Sequence, residues 1–292
     1  METRAMDALT EGYGLIEGPV WDADRGLLFS DVLEGGVFCL DRSDAVKVVF
    51  EHRRGIGGMC LHAEDGVIVS GRNISYKANA GGPTQMLLDR DEANDLVGFN
   101  DITADAAGRV YAGSLGNSPV FDDGRGATAG KLFLIDLDGS SRAVAENVML
   151  TNGLGFSPDG KTLYHSDSAR RTVFSYSVAE DGSLGPKTAF VETEGGAPDG
   201  LVVAEDGSVW VALAGGSAVG VYAADGAEQD RIGIPLPMCT SVCFGGDDLR
   251  DLYIVSGSEG VEGDKRGAVY RVRTEVAGLP VGVARVTLPA SA

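Results

Sequence analysis

The sequence predicts an all-β fold, a six-bladed β-propeller with four-stranded antiparallel blades, formed as a single domain over residues 1–292. Three observations predict it. A strand-turn-strand unit recurs six times along the chain, its strands alternate apolar with small or polar residues, and no segment shows the 3.6-residue spacing of an amphipathic helix.

The unit reads VWDADRGLLFS (20–30), CLHAEDGVIVS (60–70), ITADAAGRVYAG (102–113), LGFSPDGKTLYHS (154–166), LVVAEDGSVWVA (201–212) and VCFGGDDLRDLYIVS (242–256). Its turn markers, Gly26, Gly66, Gly108, Gly160, Gly207 and Asp248, fall 40 to 52 residues apart, the period of a four-stranded blade. A third strand follows each hairpin: GGVFCLDR (35–42), QMLLDRD (85–91), GKLFLIDLDG (130–139), TVFSYSVAEDG (172–182), AVGVYAADG (218–226) and AVYRVRTE (268–275). One twisted sheet cannot bury both of its faces, so radial packing of neighbouring blades must supply the core. Closure of the ring is expected from an N-terminal strand near residues 7–15 paired with the last C-terminal strands.

Composition sets limits on partners. A formal net charge of −19 repels phosphate backbones and anionic lipid surfaces, so neither nucleic acid nor membrane is an expected partner. No run of 18 apolar residues occurs, and METRAMDALTEGYG lacks a basic segment followed by an apolar one, which points to a cytoplasmic protein. Cys39, Cys60, Cys239 and Cys243 sit in apolar strand contexts without CxxC spacing and read as reduced core residues. The oligomeric state stays open.

Eight or nine residues before each turn marker, at the head of each first strand, stand Glu17, Gly57, Asn100, Asn152, Asp199 and Thr240. In a propeller these positions are related by the pseudo-sixfold axis and begin beside the central channel. Asn-Gly and Asp-Gly are also common hairpin turns, which is the plain reading of Asn152-Gly153 and Asp199-Gly200 taken singly. That turn explains neither Glu17 before Gly-Pro nor Asn100 before Asp101, whereas a shared register explains all four. Carboxylate and amide oxygens without sulfur or imidazole suit a hard divalent cation, Ca²⁺, Mg²⁺ or Mn²⁺.

At these residues the chain resembles the SMP-30/gluconolactonase/LRE-like (regucalcin) family, over essentially its full length. The matching segments are EGPVWD, FNDITADAAGRVYAGS, TNGLGFSPDGKTLY, PDGLVVAEDGSVWVA and TSVCFGGDDLRDLYI. The resemblance implies a six-bladed propeller, metal ligands at Glu17, Asn152 and Asp199, a substrate-contacting Asn100 on the metal side, and Asp199 as the candidate general base. It also implies hydrolysis of lactones, commonly sugar lactones, with one divalent cation such as Ca²⁺ or Zn²⁺, Ca²⁺ being the first expectation. Sugar-lactonase members usually carry Arg two residues before the Asn, as RFND, where this chain has Gly98, and their Glu after the GT-M segment has no counterpart in Gly113–Asn117. A lactone less hydroxylated than a sugar lactone fits that departure.

The expected function is therefore metal-dependent opening of a small-molecule lactone or ester, with carbonyl polarisation by the cation and water attack assisted by Asp199. Asn100 orients the substrate, and Phe99, Asp101 and Met149 lie close enough to the strand heads to line its pocket. A ligand-binding or sensor propeller with a purely structural cation, and a phosphotriesterase-like hydrolase, are the alternatives. No GxSxG elbow is present, and GRGATAGK (124–131) fails the phosphate-loop pattern, so it reads as part of a lid-like loop over 114–130. His52, His62 and His165 are scattered. Of these, His165 is either packed or near the axis, and Asp167 makes either a structural bond or a site contact. Met59, Met149, Met238 and Phe99 read as core or as an apolar rim.

Overall fold

A computed structural model describes residues 5–51, 53–121 and 124–289. Six antiparallel sheets follow one another along the chain as blades 1 to 6. Their inner strands are Ile16–Asp22, Met59–His62, Gly98–Ala104, Thr151–Phe156, Ala197–Val203 and Cys239–Gly245. Each inner strand pairs with a second strand through a tight turn, and the remaining strands step outward. The turns obey local chemistry: the carboxylates of Asp22 and Asp105 accept backbone N–H groups two to four residues on, and Gly26 and Gly108 take positive φ where a side chain would be strained. The hairpin turns define one face of the ring, and the inner-strand heads define the opposite one.

Closure is as the sequence predicts. Strand Met6–Tyr13 pairs antiparallel with Gly267–Arg273 and forms the outermost strand of blade 6, so the start of the chain completes the last sheet. The core lies between blades. Trp21 of blade 1 stacks on Tyr253 of blade 6 at 5.5 Å, and Trp210 of blade 5 meets Phe244 of blade 6 edge-on at 5.3 Å. Between blades 2 and 3, Cys60, Ile68, Ile74, Phe99, Ile102 and Ala112 form another cluster. Burying each such large apolar side chain contributes about 1.5–3 kcal/mol, which makes the interblade seams the main source of stability. All four cysteines are buried and unbridged, and burial pushes the Cys60 and Cys243 thiols up to about 12.

One element has no sequence precursor. After blade 6, residues 277–289 cross the hairpin-turn face as a strap. Ala277 O accepts from Glu205 N and Gly278 N donates to Leu249 O, on blades 5 and 6. Farther on, Val283–Ala284 pairs in parallel with the inner strand of blade 2, and Arg285 N and Thr287 N donate to Gly108 O and Leu137 O of blade 3. His62 secures the strap: its Nδ1 accepts from Glu64 N, so Nε2 carries the proton that it donates to Val286 O at 3.0 Å. Among the described residues no helix is long and apolar enough to cross a membrane.

Removing Met6–Tyr13 leaves strand Gly267–Arg273 as an unpaired edge and uncouples blade 6 from the start of the chain. A variant beginning at Gly14 is expected to lose at least about 10 °C of thermal midpoint or to aggregate, and circular dichroism melts with size-exclusion chromatography measure it.

Candidate active site on the propeller axis

The inner strands deliver their head residues to the axis through one repeated irregularity. The pairing register shifts between Glu17 and Val20, Phe99 and Ile102, Thr151 and Leu154, and Pro198 and Leu201. Each bulge bends its strand just where the site residue stands and re-aims that side chain. Asn152-Gly153 and Asp199-Gly200 are therefore strand residues and not hairpin turns. Their glycines serve close approach instead: a Cβ on Gly153 would lie 2.2 Å from Leu201 N, and one on Gly200 would lie 1.9 Å from Ser241 Oγ.

The two remaining heads complete the ring in other ways. Gly57 leaves room for Asn100, whose Oδ1 would be 1.9 Å from a Cβ at that position. Thr240 is fully buried and donates its hydroxyl to Ile16 O at 2.6 Å, which fixes the backbone next to Glu17.

Asn100 and Asn152 are in direct contact. Asn100 Nδ2 donates to Asn152 Oδ1 at 2.5 Å and to Thr151 O at 2.8 Å. Asn152 Nδ2 donates to Ser168 Oγ at 2.7 Å, and Ser168 Oγ donates to Pro198 O at 2.5 Å. This relay fixes which end of the Asn152 amide faces the axis and links it to the backbone preceding Asp199. The sequence reading overlooked Ser168; its only signal was its place directly after the strand that ends at Asp167.

Electrostatics single out three carboxyls. Burial, then the charges of Asp199 and Asp101, hold the Glu17 carboxyl well above the usual carboxylate range. Burial, then Asp101, does the same to Asp199, and burial pushes Asp101 up to about 7 against one hydrogen bond from Ile102 N. Asp199 Oδ1 is buried and has no hydrogen-bond partner. Such a group costs free energy unless something positive meets it. Among the described residues no three His, Cys, Asp or Glu side chains come close enough together to chelate a metal by themselves. The axial donors are carboxylate and amide oxygens together, which is hard-cation chemistry and fits a divalent ion at Glu17, Asn152 and Asp199.

The other predicted residues separate clearly. Phe99 does not reach the site: it is 1% exposed, its ring is packed in the seam between blades 2 and 3, and strand alternation turns it away from Asn100. Met59 is likewise core, whereas Met149 and Met238 are half-buried on the strand-head side. Asp101 sits below the strand heads on the wall of a cavity of about 950 Å³ that the inner strands and Leu279–Val283 of the strap enclose. His165 is fully buried, accepts or donates with Thr151 Oγ1 at 2.9 Å, and is held neutral by burial, its proton affinity lowered to about 3. Asp167 is structural: it accepts from Met149 N and Leu150 N, as Asp31 of blade 1 accepts from Gly14 N and Leu15 N. His52 lies outside the described residues. The loop between Leu115 and Gly130 reaches blade 1, where Phe121 lies against Gly55.

Comparison with known proteins agrees with this architecture. The SMP-30/Gluconolactonase/LRE-like region model matches residues 15–258, and the chain belongs to that family. The 6-deoxy-6-sulfogluconolactonase of Pseudomonas putida is 32% identical over 273 residues, covering 90% of this chain and 92% of its own. Pentonolactonase XacC of Haloferax volcanii is 32% identical over 282 residues, with coverage of 90% and 92%. Among solved structures, the calcium-binding protein regucalcin of Agrobacterium tumefaciens superposes with a TM-score of 0.84 at 22% identity, over 98% of this chain and all of that one.

The raised carboxyls set a pH dependence of stability. A carboxyl with a folded-state pKa above its unfolded value near 4 stabilises fully below that value and loses the contribution as pH climbs through the folded one. In chelator, the thermal midpoint is expected to fall as pH climbs from 4 through about 7, and Asp101→Asn to flatten that fall. Thermal melts in chelator at pH 5 and pH 8 test it; equal slopes for wild type and variant would contradict it.

Proposed function

We propose that this chain opens the ring of a lactone, a sugar lactone or a less hydroxylated one, by water attack at the axial site. In class it is a gluconolactonase-like lactonase, a carboxylic ester hydrolase, and the two 32%-identical relatives named as lactonases support that class. The observation that carries the reading is the buried, unpartnered oxygen of Asp199, whose charge is felt by Glu17 and which lies on the blade next to the hydrogen-bonded pair Asn100 and Asn152.

Glu17, Asn152 and Asp199 would hold a divalent cation, Ca²⁺ first, and the calcium-binding regucalcin relative supports that choice. When bound, such an ion polarises a carbonyl as a Lewis acid, worth several kcal/mol. The remaining chemistry belongs to the chain. Asp199, buried at the head of the inner strand of blade 5, takes a proton from the attacking water. The water oxygen bonds to the ring carbonyl carbon, the bond from that carbon to the ring oxygen breaks, and the proton passes to the departing oxygen to leave a hydroxy acid. Asn100 Oδ1, given room by Gly57, accepts from a substrate hydroxyl and orients the ring. Ser168 touches no substrate; it positions Asn152.

Asp199→Ala is expected to keep the fold and to lower kcat/KM on aldonolactones by at least about 10³-fold, measured with a pH indicator in chelator and after addition of Ca²⁺, Mn²⁺, Mg²⁺ or Zn²⁺. Full activity of that variant, independent of any ion, rules the assignment out. Ser168→Ala is expected to cost about tenfold in kcat and to weaken Ca²⁺ binding in calorimetry, with Ser168→Thr recovering part of both.

A further inference from the structure

Arg72 stands opposite Gly98, the position where the sequence departs from RFND. Gly71 and Phe99 form an isolated antiparallel bridge, with Phe99 N donating to Gly71 O at 2.7 Å and Gly71 N donating to Phe99 O at 3.2 Å. One step along, the bridge brings Arg72 up against Gly98. Phe99 turns its ring into the interblade seam, so Gly98 and Asn100 face the other way. Arg72 thus stands beside the head of the strand that carries Asn100, on the face of the ring where the inner strands begin.

The loop is fixed where it is. A Cβ on Gly98 would lie 2.9 Å from Gly71 O and 3.7 Å from Arg72 Cα, so a longer residue at 98 would push the loop away. Gly71 takes φ +118°, a conformation reserved in practice for glycine. From the other side, one Nη of the half-buried Arg53 donates to Ser70 O at 3.2 Å, to Asn73 O at 3.0 Å and to Asn73 Oδ1 at 2.8 Å. Arg53 anchors the loop, and the loop presents Arg72.

Arg72 itself is exposed and has no hydrogen bond or ion pair among the described residues. Acidic residues outnumber basic ones 43 to 24, and Arg25, Arg109, Arg231, Arg271 and Arg273 all find carboxylate partners. A guanidinium left free on the strand-head face is available to a ligand, and its planar fork suits an oxyanion held by two parallel bonds. We propose that Arg72 is a substrate-binding residue that takes an anionic substituent of the lactone, a carboxylate or a sulfonate, and so sets the substrate class of this site.

This inference rests on the lactonase reading, and two measurements separate them. The first is the ratio of kcat/KM on D-glucaro-1,4-lactone, which bears a carboxylate, to that on neutral D-galactono-1,4-lactone, for wild type, Arg72→Ala and Arg72→Lys. Arg72→Ala is expected to lower the ratio about tenfold or more through KM, with Arg72→Lys between. An unchanged ratio overturns the proposal. The second is calorimetric titration of glucarate, the opened dianion, into wild type and Arg72→Ala. Binding weakened about tenfold by the substitution upholds the anion site even if no lactone is hydrolysed, an outcome that would count against the hydrolase reading alone. Equal binding to both proteins, or to neither, overturns the role of Arg72.

Discussion

Burial of carboxyls on the axis, compounded by the repulsion of Glu17 and Asp199 from their neighbours, is the constraint to which the other features answer. Glu17, Asp101 and Asp199 come from blades 1, 3 and 5, whereas the heads of blades 2, 4 and 6 are Gly57, Asn152 and Thr240. Alternation around the ring keeps the like charges as far apart as a sixfold arrangement allows, yet burial still raises all three proton affinities. Only a closed ring holds such groups together, because each belongs to a separate sheet and none shares a covalent neighbour. The seams of Trp, Tyr, Phe and aliphatic residues between blades supply the force that opposes the repulsion.

Local devices convert this general architecture into a defined site. Bulges aim the side chains, glycines allow adjacent inner strands to approach, and Asp31 and Asp167 tie down the backbone that enters blades 1 and 4. The Asn100–Asn152–Ser168–Pro198 relay then joins blades 3, 4 and 5 through side chains. A displacement at one blade is thereby felt at its neighbours, so the site behaves as one unit and not as four independent residues.

Blade count, strand order and the N-terminal closure were legible because a period-2 pattern recurred with turn markers at nearly constant intervals. Glu17, Asn100, Asn152 and Asp199 were legible for the same reason: they fall in one slot of the repeat. Phe99 misled because closeness along the chain to Asn100 says nothing about which face of a strand a residue occupies. Ser168 and Arg72 escaped notice since their partners, Pro198 and Gly98, lie on neighbouring blades, and contact between blades leaves no trace in spacing. The strap was invisible for a related reason, as its two-residue pairing at Val283–Ala284 is too short to show alternation.

The strap and the closing strand also decide where the polypeptide can be held. Met6 pairs with Val272, at the end of blade 6 remote from the strand heads, and Thr287 is bonded to Leu137 beside a turn of blade 3. Both ends of the described chain thus leave from the hairpin side, on different sectors of the ring. A surface or fusion partner attached through either end would orient the molecule with its opposite, ligand-accepting side toward bulk solution.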